Sequence, residues 1–149
     1  MHPLDLKAAL LAKHAQHVVL IHFPIALFLT GVAFDFLAQW TKRQSLAAAA
    51  YCNFFVAALS TIPVVVTGIL AWQWQLEGQR LKGILLQHLV LGWASSALIW
   101  MVFWMHHRAR KKPDVAVPGG RIAFELFGVF LVSLTGHLGG FLSGVNGPG

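Results

Sequence analysis

The chain has 149 residues, of which 57% are hydrophobic and 11% charged, and its mean hydropathy is +0.67. That composition lies outside the range of soluble domains and inside that of multi-span membrane proteins. The formal net charge of +6 does not imply a nucleic-acid partner, because no basic face remains once the apolar runs are set aside. Topology signals and contact with anionic lipid account for it better.

The single cysteine, Cys52, excludes an internal disulfide and any Cys-rich metal or iron–sulfur site, and is expected to be a small apolar core residue. In chain order, Leu4, Leu6, Leu10 and Leu11 alternate with Asp5, Lys7 and Lys13 in the pattern of a short interfacial helix. Charges and histidines occupy the Met1–Gln16 segment where a signal peptide would be apolar, so the first span is expected to serve as its own insertion signal. Four stretches are long enough to cross a bilayer: about 18–40, 46–74, 84–105 and 122–142. The fold expected is therefore an all-α integral membrane four-helix bundle, one domain over 1–149, with the short N-terminal interfacial helix.

The second span contains Pro63, which lacks an N–H and crowds the carbonyl of Leu59, so a kinked, tilted helix is expected there. A short polar loop, Gln75–Gly83, joins spans two and three; a longer basic one, His106–Arg121, joins three and four and carries the breakers Pro113, Pro118, Gly119 and Gly120. The spacings Gly136/Gly140 and Gly140/Gly144 suit close helix packing in lipid.

Call the face holding the N-terminus side A and the other side B. Side A carries Lys7, Lys13, Arg80 and Lys82; side B carries Lys42, Arg43, Arg108, Arg110, Lys111, Lys112 and Arg121. The excess on side B is expected to place it in the cytoplasm, with both termini outside.

Eight histidines in so apolar a chain need a reason. Three of them, His22, His88 and His137, fall at similar depth on spans one, three and four, roughly one to two turns inside the side-A interface. An ionisable group inside a membrane is a functional-site hypothesis by default. Thr135-Gly136-His137-Leu138-Gly139-Gly140, Gly92 near His88, and Thr67-Gly68 on span two supply small residues that would let a planar ligand lie against backbone. Two imidazoles on facing helices can ligate haem b, and any two of the three could serve; three together can hold zinc or copper. Helix packing alone also explains the glycines, and hydrogen bonding among the histidines needs no cofactor.

His17 lies five residues before His22, which in a regular helix sets the two about 140° apart. It is read as an interfacial histidine, with a hydrogen bond to a ligand histidine or to a quinone headgroup as its functional alternative. His2 and His14 are read as surface residues, and His106 and His107 as solvated members of the basic side-B stretch. Asp35, toward side B, must be paired or protonated, and Arg43 or Arg121 is its expected partner. Glu125 is read as a favourable charge at a helix N-terminus.

The segments His17-Val18-Val19-Leu20-Ile21-His22-Phe23-Pro24-Ile25, Phe34-Asp35, Thr67-Gly68 with Trp72, His88, and Thr135-Gly136-His137-Leu138-Gly139-Gly140 together resemble a bacterial family of four-helix predicted membrane proteins labelled as a domain of unknown function. The resemblance covers nearly the whole chain and is most specific at His-Phe-Pro-Ile and Gly-His-Leu-Gly-Gly. It implies four membrane helices and histidines that look like cofactor ligands at His22, His88 and His137. Val18 stands where that family often has proline, which weakens any role carried onto His17. The layout is also similar to a small b-type cytochrome subunit, by analogy of fold and ligand type.

The function expected is electron transfer by a membrane subunit that binds haem b through two histidines near the outer leaflet. The candidate cofactor-binding residues are His22, His88, His137, His17, Gly136 and Gly140; for a metal they are His22, His88 and His137. The alternatives are a zinc or copper binding or transport protein and a cofactor-free structural subunit of a membrane complex. An electron-transfer subunit fits better than a stand-alone enzyme, because no hydrolytic or nucleotide-binding set is present. The partners expected are the lipid bilayer, a quinone, an external redox partner and further subunits or copies of the chain, with no nucleic acid.

Overall fold

The computed structural model describes residues 13–75, 77–78, 80–111 and 120–143. They form α1 (Lys13–Leu20), α2 (His22–Thr41), α3 (Gln44–Gln75), α4 (Gly83–Lys111) and α5 (Arg121–Leu142), with no strand among the described residues. α1 and α2 belong to one apolar run interrupted at Ile21. Pro24 accounts for the interruption: it has no N–H to give the Leu20 carbonyl, and its ring crowds that oxygen. The ladder across the break is carried by Ile21 N–H to His17 O at 3.0 Å and by a long bond from Ile25 N–H to Ile21 O at 3.5 Å.

Four runs are long and apolar enough to span a membrane: Gln16–Thr41, Gln44–Trp74, Gly83–Lys111 and Arg121–Leu142. Within their most apolar windows only 17–22% of residues are buried inside the bundle. The rest of that apolar surface faces outward, with Phe23, Phe36, Ile62, Trp93 and Phe130 all more than half exposed. A water-soluble bundle carries polar residues on its outer faces. Apolar residues there are what a lipid-facing surface requires, so the chain is a multi-pass protein of the bilayer.

Lipid is as apolar as leucine, so helices associate in it through close packing and interhelical hydrogen bonds. Both are visible. Phe28, Phe54, Ala57, Ala58, Leu98, Val102 and Val132 make a continuous core. Phe54 lies against Gly31, and Phe28 and Leu98 lie against Gly128, at distances that leave no room for a Cβ. Trp100 Nε1 donates to Thr61 Oγ1 at 3.1 Å, joining α4 to α3, and Ser95 and Thr135 hydroxyls meet at 2.9 Å, joining α4 to α5.

The expected spans are present with longer ends. The first run is preceded by helix from Lys13, three residues before the span at Gln16; the rest of the expected interfacial helix lies outside the described residues. α4 continues past Met105 to Lys111, which corrects the expectation of a loop beginning at His106. Its last turns hold no breaker, and Arg108, Arg110 and Lys111 suit the negative end of a helix dipole. α3 runs unbroken through Pro63. Lys42 takes the left-handed conformation, φ 59°, at the C-cap of α2 and reverses the chain into α3. Cys52 is exposed on the outer face of α3, not in the core as expected.

Candidate functional site

Polar side chains inside the bundle gather in two places. The first surrounds a cavity of about 320 Å³ at the side-A end, where α1, the start of α2, the end of α3, the start of α4 and the end of α5 meet. That volume lies within the range of small-molecule sites. The walls are mostly apolar, and His17, His22 and His88 are the histidines that line them.

His88 comes from α4. Its Nδ1–H donates to the backbone carbonyl of Thr135 on α5 at 3.0 Å. A carbonyl only accepts, so the neutral ring carries its proton on Nδ1 and its lone pair on Nε2. Thr135 is held in turn: its hydroxyl donates to Leu131 O at 2.8 Å and accepts from Ser95. His17, on α1, reaches the Thr67 hydroxyl of α3 at 3.2 Å through Nδ1. That hydroxyl spends its hydrogen on the carbonyls of Pro63, at 2.8 Å, and Val64, at 3.1 Å. Its oxygen therefore accepts, and His17 also carries its proton on Nδ1 and its lone pair on Nε2.

The two rings are 6.5 Å apart between centres, with their planes at 85°. Each rests on a glycine. A Cβ at Gly68 would come within 3.0 Å of His17 Cε1, and one at Gly139 within 3.1 Å of His88 Cε1. Gly136 and Gly140 also line the cavity; Gly144 lies outside the described residues.

The other two expected ligands sit differently. His22 lines the cavity but is exposed, and its Nδ1–H donates to Val18 O one turn back at 2.7 Å. His137 is exposed and not among the cavity's lining residues; its ring packs edge-on against Phe141 at 5.0 Å. The set His22, His88 and His137 is therefore not brought together. A shared depth along three helices is not enough to bring side chains together, because angle decides which of them converge. Thr135 and Gly139 face His88, and His137 is two residues from each, about 200° round the helix. The pair that faces across the cavity is His17 and His88.

The second polar cluster lies toward side B. Asp35, His106 and Glu125 are 3%, 7% and 0% exposed, and each brings a ligand atom within 4.8 Å of the others. A metal ion could use that spacing, but Arg121 donates from Nη2 to both Asp35 oxygens, at 2.8 and 3.0 Å, so the chain already supplies a cation there. Arg121, not Arg43, is the partner of Asp35. His106 is buried and bonded to Glu125 at 2.9 Å, which corrects the reading of a solvated histidine and of a mere dipole charge at Glu125. The signal lay in helical spacing: His106 is four residues from Val102 and three from Phe103, both buried, and so shares their inward face. His107 is half-buried and meets the Tyr51 hydroxyl at 3.0 Å.

Four long helices with an apolar exterior and a histidine-lined cavity between them define a multi-pass α-helical membrane protein. The chain belongs to the family described as "Predicted membrane protein (DUF2231)", whose model matches residues 13–147. No curated protein and no solved structure matches the chain.

Proposed function

We propose that the chain is an electron-transfer membrane protein whose cavity would hold haem b, with His17 and His88 as the residues that would ligate it. The observation that carries this reading is the ring pair: two imidazoles from different helices, each with Nδ1–H tied to an oxygen, with centres 6.5 Å apart. A metal held between two imidazole nitrogens, each about 2 Å from it, needs ring centres roughly 5–6 Å apart, so the pair stands near the spacing at which both rings could ligate one metal centre. A ligating histidine is usually oriented by such a bond from its other nitrogen, which also makes Nε2 a better donor to the metal.

Haem supplies the one-electron chemistry; the chain supplies ligands, a dry wall and control of the potential. Gly92, Gly136 and Gly140 leave backbone uncovered along the wall, where a flat ring can lie. Arg80 and Lys82 are exposed on either side of Leu81, which lines the cavity, and suit propionate charges. His22, at the rim, is placed to bond a propionate or a quinone headgroup. In this reading electrons pass between an external redox partner and the quinone pool of the bacterial inner membrane, with the cavity near the outer leaflet.

The test is an optical spectrum of the purified full chain, oxidised and then reduced with dithionite, with zinc and copper measured on the same sample. A reducible b-type spectrum with stoichiometric haem is expected. Colourless protein with stoichiometric zinc or copper would replace the reading with a metal site. Neither haem nor metal would leave a structural subunit.

A further inference from the structure

The cluster at the side-B end holds charge that its own residues leave unbalanced. Arg121 is committed to Asp35, to which its Nη2 donates at 2.8 and 3.0 Å, and Gln39 Nε2 adds a third hydrogen bond at 2.6 Å. Three hydrogen bonds from two donors, one of them a guanidinium, suit a carboxylate at Asp35. Glu125 shares that one guanidinium only through a looser ion pair: Arg121 Nε is 3.6 Å from its Oε1, too far for a hydrogen bond. Among the described residues Oε1 is hydrogen-bonded by His106 Nε2 alone, at 2.9 Å, and Oε2, in a residue with no exposure, has no hydrogen-bond partner.

Two ionised carboxylates against one guanidinium would leave one net negative charge in a buried cluster, with a bare carboxylate oxygen. The neighbouring elements supply no second cation among the described residues. α3 presents the Phe54 ring, 4.6 Å from the His106 ring centre. Farther along α4, His107 turns to Tyr51, and Arg110 lies over that same tyrosine ring at 4.4 Å. Lys42 and Arg43, at the end of α2, are exposed.

We propose that His106 and Glu125 form a buried proton-binding site, in which one proton balances the cluster. It resides either on Glu125, leaving an acid beside a neutral imidazole, or on His106, leaving a carboxylate beside an imidazolium. The 2.9 Å bond joins the two positions, so moving the proton between them breaks no other contact. Both forms are neutral overall once Asp35 and Arg121 are counted. A divalent metal would add two positive charges beside Arg121 where one suffices. The site lies one turn inside the start of α5, at the opposite end of the bundle from the cavity, and gives the membrane protein a place to take up or release a proton on side B. It does not depend on what the cavity holds.

The test uses the full chain in nanodiscs, with 13C-labelled glutamate for infrared spectra and 15N-labelled histidine for magnetic resonance, near neutral pH. The expected result is either a protonated-acid carbonyl band that is lost in Glu125→Gln, or an imidazolium signal that is lost in His106→Gln. Whichever signal the wild type shows should survive His88→Gln. Should His106→Gln fail to fold, the wild-type 15N shifts together with Glu125→Gln decide the matter. An ionised Glu125 beside a neutral His106 in the same sample would overturn the proposal. So would stoichiometric zinc or manganese that is retained by the wild type and lost in Glu125→Gln.

Discussion

Gly139 illustrates how much of the cavity rests on single residues. A Cβ there meets the His88 ring at 3.1 Å, so the ring must give way or tilt off its bond to Thr135. Gly139→Ala is expected to lower haem retention several-fold without loss of helix, as read by the haem-to-protein ratio and far-UV circular dichroism. At the other end, Asp35→Asn removes the carboxylate that takes both hydrogen bonds from Arg121 and leaves Glu125 Oε1, 3.6 Å from Arg121 Nε, as the remaining counter-charge. The loss is smaller than the roughly 3–5 kcal/mol of a fully stranded buried charge, and a lower thermal midpoint in detergent is expected. The cavity spectrum should not change, because Glu125 and Thr135, one in each site, are ten residues apart on α5, about 15 Å. Residue angle is also where sequence reading fell short. The five-residue step from His17 to His22 already implied that one would face in and one out, but only packing chooses: α1 lies against α3, and Thr67 and Gly68 receive His17. For His137 the information was present, since Thr135 and Gly139 cannot face inward with it.

At the scale of elements, hydropathy and length made the four spans legible, because a bilayer fixes how many apolar residues a helix needs. Helix ends were less so. The hydropathy signal ends near Met105, while the helix itself continues on backbone bonds to Lys111 and carries His106 into the interior. Charge in a sequence reads as solvent until a partner on another helix, here Glu125, is known. Helix contact in this bundle depends on small residues that sequence spacing only partly revealed. Gly128, outside the noted glycine pairs, is the tightest: a Cβ there would overlap Leu98 and come within 2.7 Å of Phe28 Cζ. Gly128→Val is expected to destabilise the bundle by about 1–3 kcal/mol, as overpacking does, seen as a lower midpoint in detergent melts.

For the molecule as a whole, the bundle joins a histidine cavity at one end to an ionised cluster at the other, inside an apolar jacket. The basic residues crowd the cluster's end, where Arg108, Arg110 and Lys111 close α4. That end should therefore face the cytoplasm. In a Cys52→Ser background, needed because Cys52 is exposed, cysteine introduced by Lys111→Cys should resist an impermeant thiol reagent in intact cells and react after lysis. Ready labelling in intact cells would invert the assignment and put the cavity near the inner leaflet.

The central claim is that His17 and His88, from different helices, hold one cofactor between them, and haem retention in three single variants tests it most directly. His17→Ala and His88→Ala should each lose the reduced b-type spectrum, whereas His137→Ala, altered on the outer face of α5, should keep it at the wild-type haem-to-protein ratio. Loss of the spectrum in His137→Ala together with its survival in His17→Ala would contradict the claim.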